Sequence, residues 1–246
     1  RGGSIYISSE GDALAGLGPF VNKFGPDGRQ AGRLPVDDHF APGPDHGIRF
    51  NLAFESLTIT DDLGTLFTAT EGALAQDGPA ANVEQVSLAR MVQYDLVARQ
   101  PVAEYVYVTD PVAEEPDPAD SFRVNGLVEL LSLGDGYFLA MERSFSVGKG
   151  NVVKLYEISI NGATNVIDND DLYDEDTGTA DDFVPVSKRL LLDFGDLGLS
   201  SVDNLEGLAF GPDLEDGRAL LIVASDNNFN AFQVTQFVAF AVDLSH

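Results

Sequence analysis

The chain has no cysteine, three histidines and few positive charges, 14 Lys and Arg against 40 Asp and Glu. Without cysteine there are no disulfides, no thiolate zinc sites and no cysteine nucleophile. A zinc site of three histidines would have to recruit His39, His46 and the C-terminal His246, so it is set aside. The formal charge of −26 repels nucleic acid and anionic membrane at long range, which excludes nucleic-acid partners. No apolar run is long enough to cross a bilayer, and no leader of basic residues followed by an apolar core is visible. The opening Arg1-Gly2-Gly3-Ser4-Ile5-Tyr6-Ile7-Ser8 reads as a turn running into a strand, so the chain is expected to be a fragment lacking an N-terminal portion. Helical periodicity is also scarce, and the best helix candidate is a short one over residues 81–87.

What is present is strand. Short runs rich in Val, Ile, Phe, Tyr and Thr, such as residues 57–60, 66–70, 90–96, 102–108, 137–141, 152–160, 219–224 and 236–242, alternate with Gly, Asp, Asn and Pro. A hydrophobic content of 44% and a charged content of 22% suit one packed domain over residues 1–246, expected to be a monomer. The runs repeat. Glu55-Ser56-Leu57-Thr58-Ile59 leads through a turn to a strand ending at Thr70-Glu71. Asn125-Gly126-Leu127-Val128-Glu129 leads likewise to Met141-Glu142, and Glu206-Gly207-Leu208-Ala209-Phe210 to Ser225-Asp226. Residues 3–10, ending on Glu10, look like the second half of a further copy. Each terminal acid is followed by another strand and, in the first three copies, by an outer one. Four short antiparallel strands per repeat predict a β-propeller with insertions near 34–51, 76–87, 111–122 and 165–185. A sandwich explains the alternation, but not an acid recurring at matched strand ends.

The recurring acids have two readings. In a propeller, matched strand ends point toward a common axis, so Glu10, Glu55, Glu71, Glu142, Glu206 and Asp226, with Asn125, Asn204, Asn227 and Asn228, would form a ring of oxygen ligands. Calcium takes about six to eight such oxygens in irregular geometry, and carboxylates this close need a cation or arginines to offset their repulsion. The metal ligands expected are Glu10, Glu55, Glu71, Glu206, Asp226 and Asn227. Alternatively, each acid caps the turn that follows its strand. The acidic run from Asp168 to Gly178 lacks the EF-hand pattern, because Leu172 and Tyr173 interrupt it, and reads as a solvated insertion.

Several segments carry a family resemblance. Asp203-Asn204-Leu205-Glu206-Gly207-Leu208-Ala209-Phe210-Gly211-Pro212 and Ala224-Ser225-Asp226-Asn227-Asn228-Phe229 are two. Others are Ile7-Ser8-Ser9-Glu10-Gly11, Gly47-Ile48-Arg49-Phe50-Asn51, Phe54-Glu55-Ser56-Leu57, Ala75-Gln76-Asp77-Gly78 and Met141-Glu142-Arg143-Ser144. Together they resemble the bacterial "esterase-like activity of phytase" family across nearly the whole chain. The resemblance implies an exported propeller, periplasmic or extracellular, distantly akin to calcium-dependent phytases, acting on a phosphoester or another small ligand. A phosphate site needs cations. Glu142 and Arg143 are then the expected catalytic pair, with Arg49, Arg90 and Lys188 binding substrate through charge-assisted hydrogen bonds. No Gly-x-Ser-x-Gly elbow surrounds Ser144 or any other serine, which argues against a serine esterase. Two functions follow: a metal-dependent hydrolase of phosphate esters, or a non-catalytic, calcium-stabilised binding module.

Overall fold

The computed structural model describes residues 3–174 and 176–243, and His246 and Glu175 lie outside them. The described residues form strands, three short 3-10 turns and no α-helix. The strands are β1 (Ile5–Ser9), β2 (Phe20–Phe24), β3 (Gln30–Leu34), β4 (Phe54–Ile59), β5 (Thr65–Ala73), β6 (Leu88–Asp95), β7 (Gln100–Val108), β8 (Arg123–Gly134) and β9 (Tyr137–Ser146). They continue with β10 (Gly150–Ser159), β11 (Tyr173–Asp174), β12 (Thr179–Ala180), β13 (Ser187–Asp193), β14 (Leu205–Phe210), β15 (Ala219–Ser225) and β16 (Phe237–Val242).

Four antiparallel sheets follow one another along the chain: β1-β2-β3, β4-β5-β6-β7, β8-β9-β10-β13 and β14-β15-β16. The acidic insertion adds a small β11-β12 hairpin. Each sheet is an antiparallel meander, with short turns at β4–β5, β6–β7, β8–β9 and β9–β10 and longer connections at β1–β2, β5–β6, β10–β13 and β15–β16. Asp135 and Gly136, both at positive φ, make the two-residue loop between β8 and β9 that matches the twist of its strands. The leading strands approach one another across the sheets, β1 beside β4, β4 beside β8 and β8 beside β14.

The core lies between successive sheets. Val21, Leu34, Phe54 and Tyr94 fill the space between the first and second sheets. Phe67, Met91, Leu127 and Phe138 fill that between the second and third, with the Phe67 and Phe138 rings edge to face at 4.7 Å. Met141, Val153, Leu205 and Val223 join the third to the fourth. Burying one such side chain contributes about 1.5–3 kcal/mol. The half-buried Glu129 and the buried Thr58 also tie the leading strands together. Glu129 Oε1 accepts the Leu130 N–H at 2.9 Å and the Leu57 N–H at 3.4 Å, and the Ser132 N–H donates to Thr58.

The helix expected over residues 81–87 does not form. Asn82 is the reason. Its side chain accepts the Glu84 N–H at 2.8 Å and donates to Gln85 Oε1 at 2.7 Å, which gives the backbone a local alternative to a helical turn.

Candidate metal and ligand site

Three hairpins carry the same bulge, and in two of them it places an acidic side chain. Between β4 and β5, Phe54 pairs with Thr70 and Ser56 with Ala69, so Glu55 is left over as a bulge. Between β14 and β15, Leu205 pairs with Ser225 and Gly207 with Ala224, so Glu206 is left over. Between β8 and β9, Leu127 pairs with Glu142 and Glu129 with Met141, so Val128 is left over. A bulge re-aims the extra side chain out of the ladder's alternation. On the partner strands, the residues just after Thr70, Ser225 and Glu142 are Glu71, Asp226 and Arg143. Glu10 follows Ser9, the last residue of β1, in the same way.

These ladders revise the sequence matching by one residue at the second strand. Glu71 and Asp226 correspond to Arg143, not to Glu142, and Glu55 and Glu206 correspond to Val128, not to Asn125. Because side chains alternate along a strand, a one-residue slip moves a side chain to the opposite face. The ring position expected to hold an acid in the third sheet therefore holds its countercharge.

Glu10, Glu55, Glu71, Arg143, Glu206 and Asp226 line one cavity of about 470 Å3, together with Asn51, Asn204, Asn228 and the side chains of Phe122 and Val124. One carboxylate oxygen each from Glu10, Glu55 and Glu71 lies within 4.8 Å of the others. Arg143 Nη2 stands 3.2 Å from Glu206 Oε1 and 3.7 Å from Glu71 Oε1. Glu10 also accepts the Ala53 N–H at 3.1 Å. Glu71 is the deepest, 1% exposed, and neither of its oxygens accepts a hydrogen bond among the described residues. Gly126 makes room for it, since a Cβ there would stand 2.2 Å from Glu71 Cγ.

The electrostatics follow from this crowding. Burial, and then repulsion from Glu10 and Glu206, push the Glu55 carboxyl up to about 7. Burial pushes Glu71 up to about 8 despite Arg143, with Glu55, Glu10 and Glu206 adding to the rise. Burial also raises Glu10 and Glu206. One guanidinium does not offset this many carboxylates. The donor set is all oxygen, irregular, and includes a buried carboxylate that accepts no hydrogen bond among the described residues, so the residues fit a hard divalent cation such as calcium.

The other expected site residues are elsewhere. Glu142 is buried between the second and third sheets, where Oε1 accepts the Tyr107 hydroxyl at 2.6 Å and the Lys188 ammonium, and Oε2 accepts the Asp110 N–H at 2.9 Å and Asn125 Nδ2 at 2.8 Å. Lys188 also reaches Asp110 at 2.7 Å and lies 4.2 Å from the Tyr156 ring centroid. Arg90 is fully buried, forked onto Asp77 at 2.6 and 2.9 Å and bonded to Glu104 at 3.0 Å. Arg49 clamps a loop by donating to the carbonyls of Ala73, Ala75 and Gly78. Asn227 accepts the Phe229 N–H at 3.1 Å, a turn-making role. None of these five lines the acidic cavity. Each cation sits where a buried carboxylate or carbonyl already claims it, which sequence alone does not reveal.

A second group, Asp37, His39 and Asp170, also brings ligand atoms within 4.8 Å of one another. There the His39 nitrogens already face Asp37 at 3.0 Å and Glu104 at 3.2 Å, in the network that holds Arg90.

Fold and site together define an all-β protein with acidic groups able to hold a metal ion. The chain belongs to the phytase-like family described as "esterase-like activity of phytase", whose model matches residues 1–229. It is also similar to a protein of Arthroderma benhamiae named "Uncharacterized secreted protein", at 26% identity over 178 residues. That match covers 60% of this chain and 33% of the relative, so the chain spans about a third of the relative's length. No helix among the described residues is long and apolar enough to cross a membrane.

Proposed function

We propose that the four sheets are consecutive blades of a propeller and that the acidic cavity on their common axis is the site of a calcium-dependent phosphoester hydrolase. The observation that carries the reading is the convergence of Glu10, Glu55 and Glu71 beside a single arginine, with Glu71 buried, its oxygens accepting no hydrogen bond among the described residues and facing Arg143 at 3.7 Å. Family membership and the adjacency of the leading strands support it. Glu10, Glu55 and Glu71 would hold the cation, and Asp226, Asn204 and Asn228 line the same cavity. A bound calcium ion would offset the clustered charge and acidify a coordinated water. Arg143 grips a phosphoryl oxygen by paired hydrogen bonds. Hydrolysis forms a P–O bond from water and breaks the one to the alcohol. Glu206, 3.2 Å from Arg143, takes the water's proton, and the departing alkoxide takes one from solvent. The secreted description of the fungal relative supports a place outside the cytoplasm for this chain too.

A binding-only module is the second reading. It draws on a specific observation: of Arg49, Arg90, Arg143 and Lys188, only Arg143 lines the cavity. Turnover of chromogenic phosphate esters, with and without calcium, separates the two. The expected result is calcium-dependent hydrolysis that Glu71→Gln abolishes and Glu142→Gln retains. Calcium binding without turnover, in a protein whose melting temperature calcium still raises, decides for the binding module.

A further inference from the structure

Beside the acidic cavity lies a second one of about 260 Å3, walled by Phe50, Leu52, Ala80, Ala81, Phe122 and Val124. Asn51, Phe122 and Val124 line both, so the two chambers share a wall. Of the polar side chains of the second chamber, Ser87 and Asn125 are already engaged, and Asn51 stands exposed at the wall shared with the acidic cavity. Ser87 donates to the Pro79 carbonyl at 3.2 Å and accepts the Ala73 N–H at 2.9 Å. The Asn125 amide donates to the Asp110 carbonyl and to Glu142. Arg123 is the one charged side chain on this wall. Phe50 and Phe122, 60% and 63% exposed, stand at the same place, an apolar surface left to solvent.

We infer that this chamber receives the apolar arm of the ester, an aryl or short alkyl group, while the phosphoryl group sits against Arg143. The inference rests on the phosphoester reading and names its substrate class: a monophosphoester of an apolar alcohol, not a polyphosphorylated polyol. Three physical points carry it. First, apolar cavities of about 150 Å3 accept a benzene ring, so this one accommodates a ring with a substituent. Second, an aromatic arm would cover the exposed phenyl rings and can stack on the Arg123 guanidinium. Third, the acidic chamber offers one guanidinium among at least five carboxylates, so each phosphate beyond the first would meet repulsion instead of a partner.

The test compares phenylphosphonate with methylphosphonate, inert probes with the same charged head, by calorimetry on the calcium-loaded protein and on Ala81→Trp, which fills the chamber from a loop. The wild type is expected to bind phenylphosphonate about tenfold or more tighter, from burial of the ring. Ala81→Trp is expected to erase that preference and leave methylphosphonate unaffected. Equal binding of the two probes by the wild type overturns the inference and leaves the hydrolase reading standing. Neutral benzyl alcohol, followed by saturation-transfer NMR, reads the chamber without a phosphoryl group. Binding to the wild type and exclusion by Ala81→Trp upholds the apolar site even if neither phosphonate binds, in which case the phosphoester reading falls. Binding to neither protein, or to both alike, overturns the apolar site.

Discussion

Glu142 and Arg143 adjoin in the chain but face opposite surroundings. Glu142 spends both oxygens on four donors from three neighbouring segments, whereas Arg143 reaches across the acidic cavity. Glu142→Gln keeps the shape but turns one acceptor into a donor against an array of donors and leaves the Lys188 ammonium less compensated. The expected cost is on the order of 1–3 kcal/mol, read as a lower urea midpoint, with calcium affinity unchanged. A loss of calcium binding in this variant would place Glu142 at the cation after all. Residue type was legible in sequence here, because an acid beside an arginine after the run 137–141 stood out, although both lie inside β9, which continues to Ser146, and not at a strand end. Which of the two faced the cavity was not, since that depends on the register of a ladder.

Strands and their hairpins were readable because β-branched runs and turn residues alternate so regularly. Val152 to Ile160 reads as a strand, and β10 runs Gly150–Ser159. The bulges were not readable. A bulge adds one residue to a strand without any composition of its own, and Val128 sits in a sequence that pairs as easily without it. Counting back from Leu therefore aligned Asn125 with Glu55, where the ladder aligns Val128. Gly126 carried an unrecognised signal: it looked like part of a repeated small residue before Leu, and its work is to leave space for Glu71. Gly126→Ala places a Cβ against the buried Cγ of Glu71, not against a free side-chain end. The expected outcome is a displaced Glu71, calcium affinity lowered at least tenfold in titration, and a modest fall in melting temperature. Wild-type affinity in Gly126→Ala would show that Glu71 is not a ligand. Restoring the space from the other side, with Gly126→Ala combined with Glu71→Asp, is expected to recover part of the stability.

For the whole molecule, a charge of −26 and a cavity that collects carboxylates act in the same direction. The unfolded chain holds its glutamates at ordinary acidity, near 4.5, whereas the folded chain holds Glu55 up to about 7 and Glu71 up to about 8. Below about pH 4.5 both states are protonated at these groups and neither gains. As pH rises toward 8 the unfolded state releases these protons first, so the stability they support is lost through that window and is flat above it. Metal-free protein is therefore expected to melt at progressively lower temperature between pH 5 and 8. Calcium competes with those protons, so it binds more tightly as pH rises and releases protons on binding near neutrality. It should flatten the slope of melting temperature against pH, stabilising the protein most at the alkaline end. Glu71→Gln removes the deepest of the raised groups, so in chelator its curve should lie above that of the wild type at pH 8, and calcium should move it little. Thermal melts across this range, in chelator and in calcium, read all of these together. A metal-free curve that rises from pH 5 to 8 would mean that the cavity's carboxylates are already compensated, and the case for a cation there would go with it.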